Sequence, residues 1–212
     1  MTLKVPIGLR RARLMTRHRL ATPAASVTGA AEAMIALHAT DPVTVYLSAW
    51  ARTGCAVGDV DGVLYESRGL VRALGMRRTM FVIPAPFVPV VQAACTDDIA
   101  RRLRRQLERD LERLGGIANA GAWLQGVGES VVAALAARGS AAGAELSADE
   151  PRLRTQLVYA ADKSYGGPAN ITSRVLMLLS AEGLIVRGRP RGGWTSGQFT
   201  YHPAHAWLSG VA

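Results

Sequence analysis

The stretch of the 212-residue chain that decides its organisation is Leu70-Val71-Arg72-Ala73-Leu74-Gly75-Met76-Arg77-Arg78-Thr79-Met80-Phe81-Val82-Ile83. It contains two apolar runs, 70–74 and 79–83, which are separated by four residues that begin with a glycine. Two short apolar runs on either side of a glycine-containing turn are typical of a β-hairpin. The sequence therefore predicts a first hairpin at 70–83, with Arg77 and Arg78 at its tip.

Helix-forming sequence precedes this hairpin. Helices are predicted at 10–20, from a cap at Ser26 or Thr28 to about Thr40, from Pro42 through Trp50 and, more weakly, at 58–66. The third helix is the best marked, because Asp41 can accept the free amide hydrogens of its first turn and Pro42 suits the first helical position. Three or four helices followed by a two-stranded hairpin are typical of a winged helix, in which one helix enters a DNA groove and the hairpin lies beside it.

The second half of the chain repeats this order. A helix at 99–114, with one apolar stripe and arginines that are largely offset by its own acids, is predicted to connect the halves. Later elements are predicted as helices at 123–137, from Ser147 onward and at 173–182, a strand at 184–186, a loop at 187–193 and a strand at 194–201. We therefore expect a mainly α (α+β) fold of tandem winged-helix units, each a helical bundle with a two-stranded wing, at 1–95 and 96–212.

The chain carries a formal net charge of +9, with 25 lysines and arginines against 16 aspartates and glutamates. Because 49% of its residues are hydrophobic and 19% are charged, it is not a disordered basic tail, and the charge indicates an anionic partner for a folded protein. A GC-rich genome would also enrich arginine and explain part of the excess. The positions are more informative, since the first twenty residues contain six basic residues and no acid.

Double-stranded DNA is therefore the expected partner, and no membrane partner is expected. The residues predicted to contact DNA lie in the N-terminal segment and the two hairpins: Arg10, Arg11, Arg13, Arg77, Arg78, Arg187, Arg189 and Arg191. In the second hairpin, Arg187-Gly188-Arg189-Pro190 matches the core of an AT-hook, in which extended arginines lie in a narrow A·T minor groove. Three interpretations of this motif are open: a basic wing tip, an autonomous hook and an inert turn.

The sequence predicts neither a metal site nor an organic cofactor. Cys55 and Cys95 are its two cysteines, too few for a zinc site or a disulfide framework, and we expect them to be buried thiols. Prolines interrupt the longest apolar run, and the first twenty residues lack the apolar core of a secretory signal. A cytoplasmic, nucleoid-associated protein is therefore expected.

The sequence resembles the AlkZ-like winged-helix DNA glycosylases along essentially its whole length. The similarity is carried by Ala36-Leu37-His38-Ala39-Thr40-Asp41-Pro42, by the run 70–84 that contains the first hairpin, and by Gly183-Leu184-Ile185-Val186-Arg187-Gly188. The resemblance implies a tandem winged-helix scaffold that hydrolyses the N-glycosidic bond of purines alkylated at ring nitrogens such as N7, including cross-linked purines. It also implies that no metal or organic cofactor takes part.

The chain departs from this family at the catalytic residues. The family's pattern is Gln-x-Gln or Gln-x-Asp directly before the Asp-Pro, where this chain has His38-Ala39-Thr40, and the family's later histidine in the first wing is replaced by Phe81. A neutral His38 can hold a water molecule or accept its proton, and the Thr40 hydroxyl can orient that water. In the alternative interpretation, His38 ends a helix and Thr40 caps the next one.

Three functions are compatible with these observations. The first is a monofunctional DNA glycosylase with His38 and Thr40 as catalytic residues, acting on alkylated duplex DNA. The second is a non-catalytic winged-helix protein that regulates transcription or shields damaged DNA. The third is an inactive, truncated fragment, since family members usually continue into a third winged helix and a β-rich region, whereas this chain ends soon after Trp207-Leu208. The sequence leaves the oligomeric state open.

Overall fold

The computed structural model describes residues 4–159 and 166–209, a part of the chain in which helices predominate. The helices are α1 (Ile7–Arg17), α2 (Val27–Met34), α3 (Pro42–Thr53), α4 (Val57–Asp61), α5 (Val88–Val91), α6 (Asp97–Gly115), α7 (Ala120–Arg138), α8 (Gly143–Asp149), α9 (Thr172–Ala181) and α10 (Ala204–Leu208). The strands are β1 (Leu37–His38), β2 (Leu70–Gly75), β3 (Thr79–Pro84), β4 (Ala141–Ala142), β5 (Gln156–Tyr159), β6 (Gly167–Asn170), β7 (Ile185–Pro190) and β8 (Phe199–Pro203). The predicted mainly α (α+β) class is confirmed.

Two three-stranded antiparallel sheets share one topology. The first has the strand order β1-β3-β2 and the second β4-β8-β7, so in each sheet a two-residue strand pairs with the second strand of a hairpin. The first hairpin forms as predicted, with Gly75 opposite Thr79 and Met76–Arg78 at its tip. The repeated order inferred from the sequence is therefore present in the topology of the chain.

The start of α3 also forms as the sequence predicts. Asp41 Oδ1 accepts a hydrogen bond from the backbone N–H of Val43 at 2.9 Å, and Pro42 occupies the first turn. The carboxylate thereby satisfies one of the amide groups that have no partner inside the helix. α2 begins in the same way, since the Ser26 hydroxyl accepts a hydrogen bond from the N–H of Gly29 at 3.0 Å.

The predicted extent of the second helix is wrong. α2 ends at Met34 rather than near Thr40, because Ile35 takes a positive φ of 69° and the chain then enters β1. Side chains alternate along this extended segment, so that Leu37 and Ala39 are buried. Tertiary burial of these two side chains outweighs the weak tendency of a short isolated helix to continue.

The helix expected to begin at Ser147 begins earlier. α8 starts at Gly143, and the Glu145 carboxylate in its first turn accepts a hydrogen bond from the N–H of Ala142 at 2.7 Å. Glu145 is thus an acid in the first turn, where a negative charge stabilises the helix. The hairpin of β5 and β6, which follows α8 after a short 3-10 turn, was not anticipated from the sequence.

The strands of the second hairpin do not have the predicted bounds. β7 extends into the predicted loop 187–193, and β8 begins at Phe199 rather than at Trp194 as predicted. β7 continues to Pro190, so Arg187 and Arg189 lie in a strand, and the tip of the hairpin is 191–198. The pairing of β7 with β8 shifts register between Arg187 and Pro190. Hydrogen bonding to β8 satisfies backbone groups that a loop would leave to solvent, which favours the longer strand.

Buried side chains form two clusters. The first gathers residues of the N-terminal half, among them Leu64, Leu70 and Leu74, and also takes in Val186 and Trp207 from late in the chain. The second is built mainly from α6, α7, α8, α9 and β5. Because the first cluster contains side chains from both halves, the halves pack against each other. The boundary between residues 95 and 96 stays a prediction.

Three further expectations can be compared with the structure. α6 carries the predicted apolar stripe, in which Ile99, Leu107 and Leu111 are buried. Cys55 and Cys95 are free thiols, but they are half-buried rather than buried. None of the helices in the described segments is long and apolar enough to span a membrane.

Candidate active site and nucleic-acid interface

His38 and Thr40 project together from the edge of the first sheet. β1 pairs with β3 so that His38 lies opposite Phe81, and the N–H of Ala39 donates to the Met80 carbonyl at 2.8 Å. Successive side chains of an extended chain alternate, so His38 and Thr40 are exposed while Ala39 is buried. The Thr40 Oγ1 lies 3.5 Å from His38 Nε2. The two-residue period thus brings both polar groups to one face.

An aromatic ring supports the imidazole of His38. The rings of His38 and Phe81 form a T-shaped pair, with centroids 5.9 Å apart and an interplanar angle of 83°. Gly75 makes room for Phe81, since a Cβ on Gly75 would lie 2.8 Å from the Cδ2 atom of that ring. Gly75 and Phe81 therefore help to position the imidazole of His38.

The helix-terminal roles considered for these two residues are wrong. His38 lies in a strand, beyond the C-cap of α2 at Ile35, and so does not end a helix. The cap of α3 is the Asp41 side chain rather than the Thr40 hydroxyl. Both side chains are therefore available for chemistry at the surface. An imidazole nitrogen and a hydroxyl this close can hold one water molecule jointly, and the imidazole can accept its proton.

The tip of the first hairpin adjoins β3, the strand that carries Phe81. Arg78 precedes Phe81 by three residues, which corresponds to roughly 10 Å along an extended strand. Arg77 and Arg78 are exposed and have left-handed backbone conformations, with φ of 60° and 59°. Within the described ranges neither forms an ion pair. Their guanidinium groups are thus open to an external anion.

The predicted N-terminal DNA contacts lie on α1. This helix covers Ile7–Arg17, which is shifted towards the N-terminus from the predicted 10–20. None of its residues is buried, and Arg10, Arg11 and Arg13 are all exposed. The helix contains no acid, so it presents a positive surface to solvent.

The arginines of the second hairpin are engaged by the protein itself. Arg189 Nη1 donates to Asp61 Oδ2 at 2.7 Å, and Arg191 Nη2 lies 2.8 and 2.7 Å from the two carboxylate oxygens of Glu145. Arg187 is half-buried. A guanidinium that already pairs with a carboxylate must leave it before it can bind a phosphate. Within the described segments, the predicted DNA contacts therefore fall into two groups: exposed arginines without an ion pair, on α1 and the first hairpin, and paired or half-buried arginines on the second hairpin.

The contact of Arg189 with Asp61 belongs to a polar cluster that joins the two halves. Asp61 also accepts a hydrogen bond from the Tyr46 hydroxyl at 2.6 Å. Burial raises the pKa of Tyr46, and the hydrogen bond to Asp61 raises it further, so the phenol stays protonated. The Arg189 guanidinium also lies 4.9 Å from the centre of the Tyr65 ring. Sequence reasoning missed this cluster, because Asp61 and Arg189 are 128 residues apart.

A second histidine, His202, is half-buried on β8 of the second sheet. A Cβ on Gly188 would lie 2.5 Å from the Cδ2 atom of His202, whose ring centre is 4.3 Å from that of Trp207. Burial lowers the pKa of His202, and the positive charge of Arg68 lowers it further. Among the residues that the structure describes, no three His, Cys, Asp or Glu side chains are grouped so as to hold a metal ion.

Known proteins resemble this chain at the levels of family and fold. A family model described as DNA glycosylase AlkZ-like matches residues 31–212. No curated protein matches the sequence. Among solved structures, Streptomyces sahachiroi DNA glycosylase AlkZ is similar, with a TM-score of 0.56 and 17% sequence identity. The match covers 90% of this chain and 47% of that one, so the chain spans about half the length of that protein.

Proposed function

The chain belongs to the AlkZ-like DNA glycosylase family, and from this premise we propose that it binds double-stranded DNA and hydrolyses the N-glycosidic bond of N7-alkylated or cross-linked purines. The observation that carries the proposal is the exposed pair of His38 and Thr40 on a sheet whose hairpin has exposed arginines at its tip. The proposal includes two winged-helix units, at 1–95 and 96–212.

The proposed reaction requires few catalytic groups from the protein. An N7-alkylated purine carries a positive charge, so it becomes neutral when it leaves with the electron pair of the bond between the sugar C1′ and the base. The protein then has to place a water molecule at C1′ while the sugar is oxocarbenium-like. The water oxygen bonds to C1′, one of its protons passes to His38 Nε2, and Thr40 Oγ1 orients the water.

The exposed arginines are proposed to bind the phosphate backbone of the duplex. Arg77 and Arg78 would hold the backbone next to the reacting nucleotide, and the arginines of α1 would bind phosphates further along. Contacts by Arg189 or Arg191 would first require these side chains to leave Asp61 and Glu145. The second hairpin is therefore proposed to contribute less to binding than the first.

A non-catalytic DNA-binding protein is the second candidate. The observation that favours it is the His38-Ala39-Thr40 sequence in place of the family's amide or carboxylate pattern. A threonine hydroxyl is attached directly to Cβ and reaches less far than the polar group of Gln or Asp. If Thr40 cannot reach the water at C1′, the same surface would bind the duplex without releasing a base.

An excision assay on a duplex containing one N7-methylguanine separates the two candidates. We expect base release by the wild-type chain and a loss of about 10²- to 10⁴-fold in His38→Ala, which is the usual contribution of a general base. His38→Gln should retain more activity, because an amide can still position water. The matched control is His205→Ala, which replaces an exposed histidine outside the site.

Each outcome of this assay decides a specific point. Tight binding of the duplex without base release by any variant would reject the enzyme in favour of the non-catalytic protein. Base release that is unchanged in His38→Ala would reject the catalytic role of His38 while keeping the glycosylase. Equal losses in His38→Ala and His205→Ala would show a nonspecific effect and would likewise reject that role.

A further inference from the structure

A basic cleft lies between the tip of the first hairpin, α6 and α9. Its volume is about 510 Å³, and its charged lining consists of Arg78 from the hairpin, Arg113 and Asp110 from α6, and Arg174 from α9. Among the lining residues that the structure describes, three guanidinium groups thus face one carboxylate, and these groups give the cleft a positive potential. Arg113 and Arg174 were not among the DNA contacts predicted from the sequence.

Asp110 is the buried acid of this cleft. It is only 3% exposed, it accepts a hydrogen bond from Gln106 Nε2 at 2.9 Å, and the Tyr159 hydroxyl donates to it at 3.3 Å. Its oxygens are 3.9 Å from Arg113 Nη2 and 3.8 Å from Arg174 Nη1. These two distances are long for hydrogen bonds. Asp110 therefore attracts both guanidinium groups, whose N–H donors form no hydrogen bond with any other residue in the described ranges.

Tyr159 fixes the orientation of one of these groups. The guanidinium carbon of Arg174 lies 4.0 Å from the centre of the Tyr159 ring, a cation–π arrangement. Burial raises the pKa of Tyr159, so its hydroxyl stays protonated and keeps its bond to Asp110. The side chains of Arg113 and Arg174 remain 75% and 42% exposed, so an external anion can reach them.

We propose that this basic cleft binds a backbone phosphate of duplex DNA, with Arg113 and Arg174 as the principal donors and Arg78 at its edge. The inference rests on the proposed DNA binding and extends it to a second place on the molecule. Exposed guanidinium groups match the oxygens of a phosphodiester, and Arg174 is in addition oriented by the Tyr159 ring. Because Arg78 belongs both to the cleft and to the hairpin beside His38, one duplex can contact the two places together.

Duplex binding measured by fluorescence anisotropy over a range of salt concentrations tests this inference. Arg113→Gln and Arg174→Gln should each weaken the affinity roughly tenfold at low salt and reduce the slope of log affinity against log salt by about 0.9. The matched control is Arg105→Gln, which removes the same charge from an exposed position of α6 outside the cleft lining. It should change neither quantity appreciably. Circular dichroism of each variant verifies that the fold is kept.

The outcomes separate this inference from the proposed function. If the wild-type chain does not bind duplex, DNA binding itself is rejected. If it binds duplex but the cleft variants behave like wild type or like Arg105→Gln, only the cleft is rejected. A calorimetric titration with inorganic phosphate addresses the other source of the same chemistry. Phosphate binding that is lost in Arg174→Gln, together with unchanged duplex binding, would reject DNA as the ligand of the cleft.

Discussion

Replacement of Arg72 by methionine should make the protein more stable. Arg72 lies on β2 and is 4% exposed, and its three guanidinium nitrogens have no hydrogen-bond partner in the described part of the chain. Its favourable contact there is with the ring of Phe199, whose centre is 4.9 Å from the guanidinium carbon. A buried ion without a compensating anion destabilises the folded state.

The size of the effect is set by two opposing contributions. Removing the guanidinium ion from water destabilises the folded state by several kcal/mol, whereas a buried cation–π contact stabilises it by about 2 kcal/mol. Methionine is similarly long and unbranched, and its sulfur can pack favourably against the ring of Phe199. We therefore expect Arg72→Met to raise the free energy of unfolding by about 1–4 kcal/mol, with Tm rising roughly 2–4 °C for each kcal/mol in a chain of this size.

Urea denaturation followed by circular dichroism measures this change. The control is Arg105→Met, the same substitution at an exposed position of α6, which should alter the free energy of unfolding by less than about 0.5 kcal/mol. A decrease of 1 kcal/mol or more in Arg72→Met would refute the reasoning. It would mean that the charge of Arg72 is compensated in the folded protein.

Three further changes test individual contacts. Glu150→Gln should lower the free energy of unfolding at neutral pH by on the order of 2 kcal/mol, because hydrogen bonds from the Arg152 side chain hold the pKa of Glu150 at about 2. Because the pKa of Glu150 is depressed, its carboxylate stabilises the fold fully above the ordinary pKa of 4.5, and this stabilisation disappears as the pH falls towards 2. In urea titrations at several pH values, the free energies of unfolding of wild type and Glu150→Gln should therefore converge at low pH. Arg189→Ala should cost about 1 kcal/mol through loss of its partly exposed ion pair with Asp61, as measured by thermal denaturation, and Arg189→Lys should recover only part of it. Gly188→Ala should cost about 1–3 kcal/mol by overpacking the second sheet and should shift the NMR signals of the His202 ring.

Each of these expectations has a result that would contradict it. A constant stability difference between wild type and Glu150→Gln down to pH 2 would show that the carboxylate charge is not the cause. Full stability of Arg189→Ala would mean that the polar cluster does not hold the halves together. An unshifted His202 signal in Gly188→Ala would contradict the close approach of that ring to the backbone.

Local signals in the sequence were sufficient for much of the fold. The cap at Asp41, the hairpin around 70–83 and the apolar stripe of α6 all depend on residues within a turn or two of one another, and the structure contains all three. The end of α2 was misjudged, because the competing interaction is the pairing of His38 with Phe81. That partner is more than forty residues away and leaves no periodic signal in the helix itself.

The sequence also located the candidate site without deciding its geometry. His38 and Thr40 were singled out, but their exposure on one face follows from the strand conformation of the segment around β1. Likewise, the basic residues of the second hairpin were identified, although only the fold shows that Arg189 is already paired with Asp61. A count of charges cannot distinguish a free guanidinium from one that is neutralised by a distant acid.

By itself, therefore, the sequence determined the mainly helical class, the repeated order of helices and hairpins, and the excess of positive charge. Those properties arise from local propensity, apolar spacing and composition, none of which depends on contacts between distant parts of the chain. The tertiary structure alone decided which arginines lack an ion pair within 4–159 and 166–209, that Arg72 is buried with no acid beside it in those ranges, and that Arg78, Arg113 and Arg174 line one cleft. These depend on side chains brought together from separate elements, and long-range packing rather than spacing along the chain sets their distances.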